Sequence, residues 1–230
     1  MRNYLFLSIL LFFIACKEEK ETPKVRYEKN TENKAEPVKT SQIQVADLPI
    51  QFEGTSVLIH PIGDLRVYEQ SNYSKRESQS YTISNYSDNQ ITGYLQNLKF
   101  QQIGSDSLRV LTDKHILIET ATYLKPISDK TKKQFMVYTL ADNDTNQDGN
   151  LDENDIKSLY MSDILGSNFT KISPDLQEII DWNTVENLNR LYFRTIEDIN
   201  KNGAFDKSDK VHYYYIDLSK EWKAIEYMPI

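Results

Sequence analysis

From Phe52 to the C-terminus the apolar residues fall in short runs, many alternating with polar residues, and clusters of Asn, Asp, Ser and Gly separate them. The runs at residues 56–59, 65–68, 81–84, 91–95, 98–103, 108–111, 116–120 and 134–140 read as strands, as do those at 158–161, 170–172, 178–182, 191–196, 211–216 and 223–227. A period of two places one face of an extended chain on a core and the other in solvent. Ile103-Gly104-Ser105-Asp106-Ser107-Leu108 reads as a hairpin turn, since Gly, Ser and Asp are turn formers. No stretch sustains the 3.6-residue period of an amphipathic helix. The pattern predicts an all-β fold of antiparallel sheets.

A repeat sharpens that prediction. Shifting the chain by 54 positions places Asp144 on Asp198, Asn146 on Asn200, Gly149 on Gly203, Asp152 on Asp206, Asp155 on Asp209, Tyr160 on Tyr214 and Asp163 on Asp217. Both copies read strand, acidic loop, aromatic strand. A period near 50 residues lies in the range of β-propeller blades, each a small antiparallel sheet. Ser162-Asp163 followed by Gly166-Ser167 and Ile172-Ser173 resembles the hairpin of propeller repeats, in which a strand ends in Ser-Asp and a Gly-Ser turn leads to a Leu-Thr or Ile-Ser step. The resemblance spans residues 98–218 and implies blade-like repeats, with room for about three blades against a usual minimum of four. A partial β-propeller-like arrangement, an oligomerised one and a plain stack of antiparallel sheets are all left open.

The repeated loops carry the candidate chemistry. Asp144-Thr145-Asn146-Gln147-Asp148-Gly149-Asn150-Leu151-Asp152-Glu153-Asn154-Asp155 resembles the calcium loop of the EF-hand family at each constrained position except the last. A hard cation takes six to eight oxygens, and alternate residues of a tightly curled loop can point theirs inward. The resemblance assigns Asp144, Asn146 and Asp148 to loop positions 1, 3 and 5, with Gly149 allowing the sharp turn. Asn150 gives its backbone carbonyl, Leu151 pins the loop to the core, and Asp152 acts directly or through water. Asp155 stands where the family has Glu, and one methylene less makes bidentate ligation harder. The second loop, residues 198–209, offers Asp198, Asn200, Asn202, the carbonyl of Ala204, Asp206 and Asp209. Asn202 replaces an Asp, and Lys201 and Lys207 stand nearby, so weaker Ca²⁺ binding is expected there. The flanks at 135–140 and 156–164 read as strands, unlike the helices of an EF-hand or a dockerin. The arrangement looks like the strand-loop-strand calcium sites of integrin-type propeller blades, where the ion stiffens a long connection.

The N-terminal end adds an address. Arg2 precedes the apolar stretch 4–14, too short to span a bilayer and read as the core of a signal peptide. Phe13-Ile14-Ala15-Cys16 resembles the lipobox of bacterial lipoproteins, with Phe13 in place of the usual Leu. That family is cleaved before the Cys, which is then acylated, and Cys16 is the single Cys of the chain, with no disulfide partner. Lys17-Glu18-Glu19-Lys20-Glu21 resembles the acidic signal that follows the lipidated Cys in lipoproteins displayed on the outer surface of some Gram-negative cells. The polar residues that follow, to about Gln44, read as a disordered tether with a mean span of about 30 Å. The expected organisation is a signal peptide at 1–15, a lipidated Cys and tether at 16–47, and an all-β calcium-binding domain at 48–230.

Charge and missing motifs narrow the function. A net charge of -7, from 34 acidic and 27 basic residues without a long basic run, argues against nucleic acid as a partner. His60, His115 and His212 are scattered and read as strand residues, and no nucleophile elbow or phosphate loop is present. Enzymatic activity is therefore not expected. Trp182 and Tyr213-Tyr214-Tyr215 read as core and cross-strand packing, with an aromatic surface for glycans or proteins as the competing use. The leading expectation is a lipid-anchored outer-membrane protein, facing the cell surface, in which calcium stiffens two loops of a structural or binding module. A carboxylate-dependent hydrolase and an accessory subunit of a surface nutrient-uptake complex are the alternatives.

Overall fold

The computed structural model describes residues 23–28, 43–65 and 82–230. The expected signal peptide, Cys16, most of the tether and the part of the strand at 65–68 beyond Leu65 lie outside the described residues. The strands are β1 (Ile43–Ala46), β2 (Val57–Leu65), β3 (Ser84–Ser87), β4 (Gln90–Leu95), β5 (Asn97–Gln102), β6 (Leu108–Val110) and β7 (Leu117–Tyr123). They continue with β8 (Phe135–Ala141), β9 (Lys157–Asp163), β10 (Thr170–Lys171), β11 (Gln177–Val185), β12 (Arg190–Glu197), β13 (Lys210–Asp217) and β14 (Ile225–Glu226). All pairings among them are antiparallel. The expected all-β fold is thus what the chain forms.

Three sheets result: β1-β2-β5-β6, the six-stranded β10-β9-β8-β7-β4-β3, and β11-β12-β13-β14. The six-stranded sheet lies in the middle, and its strand pattern shows why. On β8, Met136, Tyr138 and Leu140 enter a core shared with Phe52, Val57, Ile59, Leu98 and Phe100 of the first sheet region. The alternate residues Phe135 and Val137 enter a second core with Ile179, Leu191, Phe193, Tyr214 and Ile216 of the third sheet. Successive side chains of a strand point to opposite faces, so a strand packed on both sides reads as a nearly continuous apolar run. Phe135-Met136-Val137-Tyr138 is such a run, and all four residues are buried. Trp222 extends the second core by setting its ring edge-on to Phe135, 5.4 Å between centroids.

The 54-residue repeat corresponds to two meanders, β7-β8-β9-β10 and β11-β12-β13-β14. Each acidic loop joins the two middle strands of its meander, β8 to β9 and β12 to β13. The first meander continues into β4 and β3, so these repeats stack as parts of sheets of unequal width.

Besides a 3-10 turn at Glu186–Leu188, a short strand and a short helix escape the strand pattern. β1 occupies four residues that composition assigns to the tether, pairing along β2 from Ile43↔Leu65 to Ala46↔Ile62. The helix α1 (Lys125–Thr131) fills the connection from β7 to β8. Pro126 in its first turn is the signal that could have marked it, because proline's fixed φ suits the start of a helix. Ile127 faces the second core, and the Tyr123 hydroxyl donates to Ser128 Oγ at 2.7 Å. Among the described residues no helix is long and apolar enough to cross a membrane.

Several carboxylates are held ionised by their partners, Asp142 the most buried of them, and should contribute to the acid limit of the fold. Burial of Asp142 would raise its pKa, but the Tyr160 hydroxyl and the Lys171 ammonium, at 2.7 and 2.9 Å, outweigh it and hold the carboxyl below the ordinary range. Asp181 is lowered by the Arg194 guanidinium, Glu226 by its hydrogen bond with His212, and Asp217 to about 2 by Ser219. For groups lowered in the folded state, the unfolded chain binds protons first, so their stabilisation is present above the unfolded pKa near 4 and disappears as pH falls further. Melting temperature should therefore hold from pH 7 to about 5 and drop below about 4. Asp142→Asn should flatten that acid limb, and an unchanged limb would remove Asp142 from the account.

Candidate metal centre

Why the two acidic segments curl is visible in their side chains. An Asp or Asn that accepts from the N–H two residues on makes an Asx turn, and each loop strings three of them together. In the first loop Asn146 Oδ1 accepts from the Asp148 N–H at 2.9 Å, Asp148 Oδ1 from Asn150 at 2.8 Å, and Asp152 Oδ1 from Asn154 at 2.8 Å. In the second loop Asn200 accepts from Asn202 at 2.9 Å, Asn202 from Ala204 at 2.8 Å, and Asp206 from Ser208 at 2.8 Å.

The ends close in the same way. Asp144 accepts from the N–H groups of Asp148 and Gly149 at 3.1 and 2.9 Å, and Asp198 from those of Asn202 and Gly203 at 3.2 and 2.7 Å. Asp155 accepts from Thr145 at 2.6 Å and Asp152 at 2.9 Å, and Asp209 from Ile199 at 3.2 Å and Asp206 at 2.8 Å. Gln147 and Gly149 take positive φ of 57° and 93°, matched by Lys201 and Gly203 at 58° and 84°. Two segments with different neighbours thus adopt one backbone conformation stitched by the same donor and acceptor positions. The strand flanks expected from sequence are present in both.

The loops differ in what they bury. Asn146 and Asp155 are buried in the first loop, whereas in the second the buried ligand candidate is Asp198. Burial pushes the Asp155 carboxyl up, against the backbone hydrogen bonds from Asp152, Thr145 and Asn146 that lower it. A carboxylate in that position gains from any nearby positive charge.

As to a bound cation, the donor set of Asp, Asn and backbone carbonyl oxygens matches a hard ion such as Ca²⁺. The side chains, however, face the N–H groups of their own loops, and among the described residues no group of three or more His, Cys, Asp and Glu is gathered for a metal. Asn146 Nδ2 also donates to Asp148 Oδ2 at 3.3 Å, and Asn202 Nδ2 to Asp206 Oδ2 at 3.3 Å. Of the expected ligands, Asn150 and Ala204 enter only through their main chain.

Outside the loops, the structure assembles two clusters, of which the sequence announces only the aromatic one. His212, 7% exposed, lies between Glu226 and Glu197, with Nδ1 and Nε2 at 2.7 and 2.8 Å from the carboxylates. The three residues come from β12, β13 and β14, so only strand register could have joined them. Tyr214 enters the second core, as the packing reading expects. On the opposite face Tyr192, Tyr213, Tyr215 and Tyr227 pack ring against ring at 5.7 to 6.2 Å. A pocket of about 300 Å³ beside them is lined by Asp181, Asn183 and Arg194. His60 meets Gln101 at 3.2 Å on neighbouring strands.

No protein-family model matches the chain, and no curated protein matches it either.

Proposed function

We propose that this protein is a calcium-binding structural or binding module of the cell envelope, held on the outer membrane by a lipid on Cys16. The observation that supports it most is the pair of loops, 54 residues apart, that share sequence positions, turn conformation and hydrogen-bond pattern while sitting in two different sheets. Chance acidic turns need not agree in all three. Asp144, Asn146, Asp148, Asp152 and Asp155, with the Asn150 carbonyl, would hold the first ion. Asp198, Asn200, Asn202, Asp206 and Asp209, with the Ala204 carbonyl, would hold the second. Bound calcium would supply positive charge beside one buried carboxylate in each loop, Asp155 and Asp198, which would stiffen a hairpin connection without any switching element. The solvent-side tyrosine cluster is the surface this reading offers to an envelope glycan, since tyrosine presents an apolar body with a polar tip.

Calorimetric titration of the full chain with calcium tests the metal. Two binding events are expected, the tighter at the loop with four carboxylates, and absence of heat rejects the reading. The anchor has its own test. Wild-type protein should partition with outer membranes and Cys16→Ser should be released to the soluble fraction, because several acyl chains give stable anchoring where none gives no anchoring at all. Equal partitioning of the two would sink the lipid assignment.

A further inference from the structure

Residues 23–28, within the stretch that composition reads as tether, cross both acidic loops as a strap. The Lys24 and Val25 N–H groups donate to the Gly203 carbonyl at 2.7 and 3.3 Å, and the Arg26 N–H donates to the Thr145 carbonyl at 2.9 Å. The Thr145 hydroxyl returns a hydrogen bond to the Lys24 carbonyl at 2.7 Å, and the Gln147 amide donates to the Arg26 carbonyl at 2.8 Å. The Tyr27 hydroxyl donates to the Asp198 carbonyl at 3.4 Å, and the Lys201 ammonium sits 5.7 Å from the Tyr27 ring centroid. Lys24 pairs with Glu178 at 2.8 Å, and Val25 is 3% exposed. Main-chain hydrogen bonds on both sides and one buried apolar side chain are how an extended peptide is held in a groove.

The contacts reach the candidate ligands in one step. Thr145, which grips Lys24 and Arg26, also gives its N–H to Asp155 at 2.6 Å. Gly203, whose carbonyl takes two strap N–H groups, gives its own N–H to Asp198 at 2.7 Å. Gly203 is also required by space: a Cβ there would lie 2.6 Å from the Val25 carbonyl oxygen and 2.7 Å from Pro23 Cβ. Corresponding positions of the two loops, Gln147 and Lys201, both touch the strap.

We propose that the two loops together form a receptor for an extended peptide, that this chain's residues 24–27 fill it, and that the filled receptor makes calcium binding at the two loops interdependent. The inference rests on the calcium reading above. A strap that fixes Thr145 and Gly203 restricts the backbone that orients Asp155 and Asp198, so each ion orders part of the other's site.

Val25→Asp, which places a charge in the buried pocket while leaving every loop residue intact, tests it on the full chain. Calcium calorimetry and amide hydrogen exchange of residues 24–27 are the measurements, and replacing residues 24–27 by a Gly-Ser stretch is the second variant. Wild type should bind cooperatively, with residues 24–27 protected by calcium. Both variants should bind about tenfold more weakly and without cooperativity, within the range usual for coupled sites. A synthetic peptide of residues 22–29 should restore the wild-type isotherm to the variants, and its Val25→Asp form should not. Calcium heat that is identical in wild type and variants, protection indifferent to calcium, or a peptide without effect overturns the inference while leaving the calcium reading in place. Absence of heat in every protein overturns both.

Discussion

In about 10 mM calcium the protein should melt some 5–10 °C higher than in a chelator for each occupied loop. An ion that binds only the folded state stabilises it by RT ln(1 + [L]/Kd), about 2.7 kcal/mol when its concentration is a hundred times Kd. A Kd of order 10⁻⁴ M belongs to calcium-rich exteriors, and one kcal/mol moves a domain of this size by about 2–4 °C. Two variants separate the loops. Asp144→Asn removes a charge from the loop with more carboxylates and should erase the larger part of the calcium shift. Asp198→Asn should erase the smaller part but weaken the protein more in chelator. Asp198 is 3% exposed and takes the N–H groups of Asn202 and Gly203 on separate oxygens. An amide can satisfy one of the two, and the other is left facing an NH₂ group, a loss of about 1–3 kcal/mol. Equal melting in calcium, in magnesium and in chelator would show that the loops are turns closed by their own hydrogen bonds and nothing more.

Much of this architecture is legible in the sequence, and the boundary of legibility has physical causes. Period-two alternation marks β12 and β13, which bury Leu191, Phe193, Tyr214 and Ile216 toward one side. It marks β8 less distinctively, because both of its faces are buried and the alternation disappears into a continuous apolar run. The acidic loops are readable because Asx turns are local: each needs an Asp or Asn and the next two residues. Their seating on strands follows from the same local pattern. The strap is not readable, since Lys24-Val25-Arg26-Tyr27 has a tether's polarity and a single buried residue, and its partners lie more than 100 positions away in Thr145 and Gly203. The Glu197–His212–Glu226 cluster is hidden for a different reason: its members are 14 and 15 positions apart, and only the register of β12, β13 and β14 brings them together. With the strap seated, residues 17–22 are all the chain between Cys16 and the docked segment. Their reach is at most about 25 Å at full extension, so a lipidated protein would hold its acidic loops near the membrane instead of at the end of a long leash.

Leu191→Ala should cost about 2–5 kcal/mol and lower the melting temperature by roughly 5–15 °C without splitting the transition. Leu191 is fully buried in the second core, where it shares neighbours with Phe193, Ile216 and the residues Val137, Leu159 and Met161 of the middle sheet. Those middle-sheet residues alternate along β8 and β9 with Met136, Tyr138 and Tyr160, which belong to the first core. A strand whose odd residues serve one core and whose even residues serve another cannot leave one without disturbing the other, because both depend on the same backbone. The chain offers a direct check of that coupling. Its two tryptophans, Trp182 and Trp222, both pack against the second core, whereas far-ultraviolet circular dichroism averages over all three sheets. The two signals should therefore melt together in the wild type and still together in Leu191→Ala, at a lower temperature. If tryptophan fluorescence changed first while most of the dichroism persisted, the third sheet would be unfolding on its own, and the sharing of β8 and β9 between two cores would be too weak to bind the sheets into one cooperative unit.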